Sequence, residues 1–264
     1  MEDNMIKVEH VSRSFGEQTV LQDVSFQIHQ GEFVGIIGTN GSGKTTLLRL
    51  ISGVDTTGAG DIQIRGKKIA GYPRKVLAKF LAVLSQDALP PIGFTVREII
   101  EMGRYPFQNW LGEEAVGGVQ LVENIIDKLQ LRELSERSVD DLSGGQRQRV
   151  ALGKVMAQEP SILLLDEPTT FLDIGYQLQM MDYIRKWQEE CQMTVVAVLH
   201  DLNLAAQYCT RLLVLHDGVI IADGSPQEVL TQKLVQQVYG TVPVILPHPS
   251  NGLPQILLQP GMSE

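Results

Sequence analysis

The stretch Gly38-Thr39-Asn40-Gly41-Ser42-Gly43-Lys44-Thr45 limits what this chain can fold into more than any other part of it. It reads G-x-x-x-x-G-K-[ST]. Ahead of it, Phe33-Val34-Gly35-Ile36-Ile37 is a short apolar run suited to a buried strand. Behind it, Thr46-Leu47-Leu48-Arg49-Leu50-Ile51 places apolar residues at helical spacing and closes at Gly53. Strand, glycine loop and helix start together make an anion nest. The glycines let backbone N–H groups turn inward, the helix N-terminus adds positive potential, and Lys44 reaches the terminal phosphates. Thr45 offers a hydroxyl to Mg²⁺. The stretch reads as a nucleoside triphosphate site.

The rest of the chain alternates strand and helix around that loop. Strand patterns cover residues 6–11, 20–28, 61–68 and 81–84, with a short helix at 74–80 before Ser85-Gln86. From residue 87 to about 157 strand signals vanish, and helices are expected at 95–102, 119–129 and 144–157. Strands return at 162–165, 195–199, 212–215 and 219–222, with helices at about 175–190 and 202–208 between them. This pattern predicts an α/β fold with a mostly parallel sheet and helices on both faces. One domain is expected, with its core in residues 1–86 and 158–264 and an inserted helical subdomain in 87–157. After Gly240 the chain turns Pro-rich, with short apolar stretches that read as two edge strands.

Composition narrows the partners. A net charge of −9 and the lack of a Lys/Arg cluster argue against nucleic acid. Cys191 and Cys209 have no metal-ligand spacing and are expected to be reduced, buried thiols in a cytoplasmic protein. The acidic start Met1-Glu2-Asp3-Asn4 carries no signal peptide pattern, and no apolar run approaches the ~18 residues of a membrane span. The chain reads as a soluble protein able to dock on something that is not.

Two further stretches carry chemistry. Ile162-Leu163-Leu164-Leu165-Asp166-Glu167 ends a doubly buried strand on two acids, at the strand end where α/β sheets bind ligands. Asp166 would hold Mg²⁺ through water, and Glu167 would polarise the water attacking the γ-phosphate. In Leu142-Ser143-Gly144-Gly145-Gln146, Ser143 suits a helix cap and the glycines free backbone N–H groups. On its residues alone this is either a plain N-cap or a second phosphate-binding terminus. Phe15, in Ser14-Phe15-Gly16-Glu17, reads by itself as a turn or core aromatic, and His200 as an ordinary histidine.

Together these motifs resemble the ATP-binding cassette family over nearly the whole chain. Residues 38–45 and 162–167 resemble its Walker A and Walker B motifs, and residues 142–146 its signature. Gln86 falls at the Q-loop glutamine, and Thr170-Phe171-Leu172-Asp173 resembles the D-loop. His200 matches the switch histidine, and Phe15 takes the place of the adenine-stacking aromatic. The departures are small: Thr39 for the commoner proline, Thr45 for serine, and Phe171 for alanine or tyrosine. The resemblance implies ATP and Mg²⁺ as cofactors, with Glu167, His200, Gln86 and Lys44 catalytic and Thr45, Gln86 and Asp166 at the metal. It implies nucleotide contacts from Phe15, Gly38, Asn40, Gly41, Ser42, Gly43, Lys44, Thr45 and Thr46. Ser143, Gly144, Gly145 and Gln146 would complete the site from a second cassette subunit in a head-to-tail homodimer.

Thr95-Val96-Arg97-Glu98, Gly103-Arg104-Tyr105-Pro106-Phe107 and His200-Asp201-Leu202-Asn203 give a finer resemblance, to importer cassettes for ferric siderophores, haem and cobalamin. It implies integral-membrane permease subunits as partners, a substrate-binding protein acting indirectly, and a peripheral place on the cytoplasmic face of the cell membrane. Tyr105, Phe107 and Trp110 form a local aromatic cluster suited to permease docking, or simply to packing of the lobe. A switch GTPase is disfavoured because no Asn-Lys-x-Asp motif occurs. A soluble repair or translation cassette is disfavoured because tandem cassettes and coiled-coil insertions are absent. An exporter cassette would usually be fused to membrane spans.

Overall fold

β1 (Asn4–Phe15) and β2 (Gln18–His29) each outrun the alternating pattern that marks them, because pairing along β1 carries the strands past the buried positions. They belong to a computed structural model that describes residues 4–85, 89, 93–109 and 117–258. Two compact units divide the chain, one made of Met1–Gly71 with Thr194–Glu264 and the other of Tyr72–Met193. In chain order the first unit continues with β3 (Phe33–Ile37), α1 (Lys44–Ile51), β4 (Ala59–Ile64) and β5 (Lys67–Lys68). The second unit holds α2 (Arg74–Leu77), β6 (Leu81–Leu84), α3 (Val96–Met102), α4 (Gly118–Lys128), α5 (Gly144–Ala157), β7 (Ile162–Asp166) and α6 (Ile174–Cys191). The chain re-enters the first unit with β8 (Thr194–Val198), α7 (Leu202–Tyr208), β9 (Arg211–His216) and β10 (Val219–Gly224). It ends with α8 (Pro226–Val229), α9 (Gln232–Tyr239), β11 (Pro243–Pro247) and β12 (Pro254–Leu258).

In the first unit, β3 pairs parallel with β8 on one side and β9 on the other, and β10 runs antiparallel on β9. All five β3 residues and all five β8 residues are buried. Continuous Val/Ile runs are what a parallel strand covered on both faces requires. Each such side chain contributes about 1.5–3 kcal/mol on burial. A second, antiparallel sheet runs in the order β2-β1-β4-β5, so the expected N-terminal antiparallel strands are present. β11 and β12 pair antiparallel in register Ile245↔Ile256, the two short strands expected from the Pro-rich tail.

In the second unit β6 and β7 pair parallel, Leu81 opposite Ile162. α3 and α5 pack closely: a Cβ on Gly153 would meet Ile100 Cδ1 and Leu129 Cδ1, each at 3.1 Å. α3 opens on a capping box, with the Thr95 hydroxyl accepting from Glu98 N–H at 3.2 Å and the Glu98 carboxylate accepting from Thr95 N–H at 2.8 Å. Arg97 and Arg132 both bind Glu123, and the Arg97 hydrogen bond above all holds that carboxyl below its ordinary range.

One expectation needs correction: Cys191 is exposed at the end of α6, and of the two cysteines only Cys209 is buried. Residues 226–239, to which the sequence pattern assigned no element, form α8 and α9. Among the described residues no helix is long and apolar enough to cross a membrane.

Candidate nucleotide site

The phosphate loop lies between the buried end of β3 and the first turn of α1. Gly38 has φ +152°, and a Cβ there would sit 2.0 Å from the Leu215 carbonyl oxygen, so no larger residue fits. α1 begins after Gly43, which is left-handed at φ 101° and gives the helix no side-chain cap; its first turn carries no acid. An uncapped helix start without a neighbouring carboxylate leaves donor N–H groups and positive potential for an anion. Lys44 is buried, and its Nζ donates to the carbonyls of Gly38 at 3.0 Å and Thr39 at 2.8 Å. The ammonium is therefore folded across the loop. Ser42 Oγ is buried without a hydrogen-bond partner among the described residues. Such a buried hydroxyl costs about 1–3 kcal/mol and wants an acceptor, which a phosphate oxygen supplies. Asn40, Gly41 and Thr45 are exposed around this nest and Thr46 is half-buried.

Three other residues of the first unit belong to the question. His200 follows β8, whose register Ile36↔Val198 places it at the same carboxyl end of the sheet as Gly38. Leu199 N–H donates to the Ile36 carbonyl at 3.2 Å, and His200 itself is exposed. Asp201 caps α7, accepting from Asn203 N–H at 2.7 Å and Leu204 N–H at 3.1 Å. Phe15 ends β1 with half its surface exposed (50%), and the Arg13 guanidinium lies 4.8 Å from its ring centroid. The turn aromatic expected from sequence is thus a strand-end aromatic with a cation on one face. Tyr239, at the end of α9, escaped the sequence reading. Its hydroxyl is buried, approached by the Gly38 backbone without full hydrogen-bond geometry, and burial pushes its pKa up to about 12. The signal was there: Ser225 and Glu228 form a capping box, and Thr231 caps a helix with Val235 and Val238 buried.

The second unit carries the acidic and signature residues. Four buried apolar residues of β7 deliver a half-buried Asp166, then Glu167 in the left-handed region at φ 52°. Thr170 Oγ1 donates to Glu167 Oε2 at 3.2 Å, and Thr170 N–H donates to the Glu167 carbonyl at 3.2 Å. A short turn thereby fixes the carboxylate. α5 starts at Ser143 with the expected cap: Ser143 Oγ accepts from Gln146 N–H at 3.4 Å and Gln146 Oε1 accepts from Ser143 N–H at 3.0 Å. Ser143 and Gly144 are exposed, whereas a Cβ on Gly145 would meet the Tyr176 ring at 2.8 Å. Gln148 Nε2 donates to the Pro168 carbonyl at 3.0 Å, so α5 is tied to the turn that carries Glu167. Gln86 and Trp110 lie outside the described residues.

Residues 21–170 match the model of the family described as ABC transporter, which is more than half of the 264 residues. The chain belongs to the ABC transporter family. The cassette is similar to the petrobactin import ATP-binding protein FpuC of Bacillus anthracis, 42% identical over 236 residues that cover 89% of this chain and 87% of the relative. It is similar to the ferric enterobactin transport ATP-binding protein FepC of Escherichia coli (strain K12), 38% identical over 256 residues covering 96% and 93%. Among solved structures, the dimeric post-hydrolysis cassette MJ0796 bound to ADP and Pi superposes with a TM-score of 0.73 at 30% identity, covering 84% of this chain and 98% of that one. The α/β cassette fold read from the motifs therefore holds. The cassette binds ATP and is an ATPase of the transport-coupled kind.

Proposed function

We propose that this cassette hydrolyses ATP to drive a membrane importer of ferric siderophores, within the wider class that takes haem and cobalamin. Similarity over most of the chain to two ATP-binding proteins, one of petrobactin import and one of ferric enterobactin transport, carries the reading. The cassette itself does not touch cargo, so the named chelate is a matter for its permease and binding protein. Growth of a deletion strain on single ferric chelates, haem or cobalamin tests it. Loss of growth on a ferric siderophore alone is expected; normal growth on every iron source would remove the assignment.

In this reading residues 1–86 and 158–264 are the nucleotide-binding core and residues 87–157 the lobe that meets the permease. Gly38, Asn40, Gly41, Ser42, Gly43, Thr45 and Thr46 cradle the phosphates, Lys44 neutralises them and Phe15 stacks on the base. Thr45, Gln86 and Asp166 would hold Mg²⁺, which neutralises charge on the terminal phosphates. A hydroxyl, an amide and a carboxylate are the hard oxygen donors that this ion takes alongside phosphate and water. Glu167 takes a proton from the attacking water, and its Thr170 bond keeps the carboxylate oriented. His200 donates to the γ-phosphate. Ser143, Gly144, Gly145 and Gln146 serve the nucleotide of a second copy, across a head-to-tail homodimer. Exposed Phe171 (88%) and Ile174 (77%), on the turn after Glu167 and at the start of α6, support burial of that surface by another chain.

The lobe offers a groove of about 520 Å³ lined by Phe94, Glu98, Met102, Tyr105, Gln108 and Lys154. We assign it to a cytoplasmic segment of the permease, and the cassette to the cytoplasmic face of the membrane. Glu167→Gln tests the chemistry: it should retain ATP binding, accumulate an ATP-bound dimer and lose turnover by roughly 10²–10⁴-fold. Near-normal turnover would sink the general-base role.

A further inference from the structure

The last elements of the first unit have no part in the nucleotide reading, yet they grip the segment that carries His200. Asn203, in the first turn of α7, pairs its side-chain amide with the backbone of β12. Its Oδ1 accepts from Ile256 N–H at 2.7 Å, and its Nδ2 donates to the Ile256 carbonyl at 3.3 Å. One amide thus meets both main-chain groups of a single residue, as a neighbouring strand would. A second tie lies at the far end of α7, where Asn251 Nδ2 donates to Gln207 Oε1 at 2.7 Å. α7 has seven residues, too few to be stable on its own, so its position depends on what it packs against. Its cap, Asp201, follows His200 directly. A cleft of about 330 Å³ is lined by His200, Asn203, Tyr239, Thr241 and Ile256, so the C-terminal segment faces the histidine. From the same segment, the buried Tyr239 hydroxyl lies near the Gly38 backbone without full hydrogen-bond geometry.

We infer that the C-terminal hairpin sets the position of His200 through Asn203, making Asn203 a positioning residue for ATP hydrolysis. The inference rests on the reading of His200 as a γ-phosphate contact. Asn203 touches no reacting atom; it fixes the helix whose cap adjoins one. A misplacement of about 1 Å at a catalytic group costs up to about 10²-fold in rate, so a loosened α7 shows in kcat. Nucleotide affinity, set by the phosphate loop and Phe15, should stay as it is. If the two bonds served only to hold the hairpin down, their loss would lower thermal stability and leave the kcat of the folded protein intact.

The test uses the full chain and measures steady-state ATPase, fluorescent-nucleotide affinity and thermal unfolding. The variants are Asn203→Leu, Asn203→Asp, His200→Ala and the His200→Ala/Asn203→Leu double. Asn203→Leu is expected to lose about 10-fold in kcat with an unchanged Kd for nucleotide. Asn203→Asp keeps the acceptor towards Ile256 N–H and suits a helix N-terminus, which favours folding, but it sets a second oxygen against the Ile256 carbonyl in place of the donor, so it too should lose kcat. It carries the test should leucine at 203 unfold the chain. In the double variant, residual turnover should equal that of His200→Ala, since a misplaced alanine has nothing further to lose. An unchanged kcat at 203 beside an inactive His200→Ala overturns the positioning role while leaving the histidine in place. Losses that multiply in the double variant also overturn it. A fully active His200→Ala overturns the reading of His200 and the inference together.

Discussion

Phe15 shows how one residue changes meaning with its neighbours. It ends β1 with half its surface exposed, and the Arg13 guanidinium 4.8 Å from its centroid occupies one ring face. A cation held there at an exposed site is worth about 0.5–1 kcal/mol, enough to bias the ring's rotamer without burying it. A nucleotide base would stack on the opposite face. Because stacking reads a π-surface and little else, base selectivity should be weak. Phe15→Ala is expected to weaken ATP binding by roughly 1–3 kcal/mol, seen as a raised KM with kcat retained. An unchanged KM would leave Phe15 a surface aromatic with no nucleotide role.

At the scale of elements, the aromatic cluster after α3 divides into two kinds of residue. Tyr105 is 67% exposed, with Lys75 Nζ 5.5 Å from its ring centroid. Phe107 is half-buried beneath the Arg104 guanidinium, 4.2 Å from its centroid; Arg104 in turn is buried and donates to Glu159 Oε2 at 2.6 Å. An exposed ring open to docking and a ring packed against the lobe are therefore found on different side chains. Tyr105→Ser should leave the basal ATPase and thermal stability of the isolated cassette intact but abolish its recovery with the permease in co-purification. Phe107→Ser should lower the melting temperature, because it removes the apolar body under a buried arginine. Retained co-purification of the Tyr105 variant would move the docking surface elsewhere. The same division marks what was legible in the sequence. Elements with a strong period or an unmistakable cap were readable: β3, β7, α5 with Ser143, and α7, which spans residues 202–208 as expected. α8 and α9 were not, because four and eight residues are too few to show a helical period, although Ser225 and Thr231 supply their caps. Hence Tyr239 and the Asn203 clamp, which depend on that segment folding back, could not be reached from motif spacing. Side-chain-to-backbone bonds between residues 53 apart leave no periodic trace.

For the whole molecule, the decisive issue is how the two helix starts proposed to bind phosphate divide between chains. α1 opens uncapped behind Lys44, and α5 opens at an exposed Ser143 and Gly144. One chain carries one of each, and a cassette 30% identical to this one is known as a dimer bound to ADP and Pi. Suppose Ser143→Arg and Lys44→Ala variants are mixed. If each chain used both of its own termini on one nucleotide, every site in the mixture would carry a lesion. In a head-to-tail dimer, the heterodimer has one site with both lesions and one with neither. The intact site joins the phosphate loop of the Ser143 variant to the signature helix of the Lys44 variant. Turnover is a poor readout if both sites must fire, so ATP-induced dimerisation is the measurement to use. Each variant alone should stay monomeric with ATP, and the mixture should form heterodimer holding one nucleotide. A mixture with no more dimer or bound ATP than either variant alone would count against shared sites.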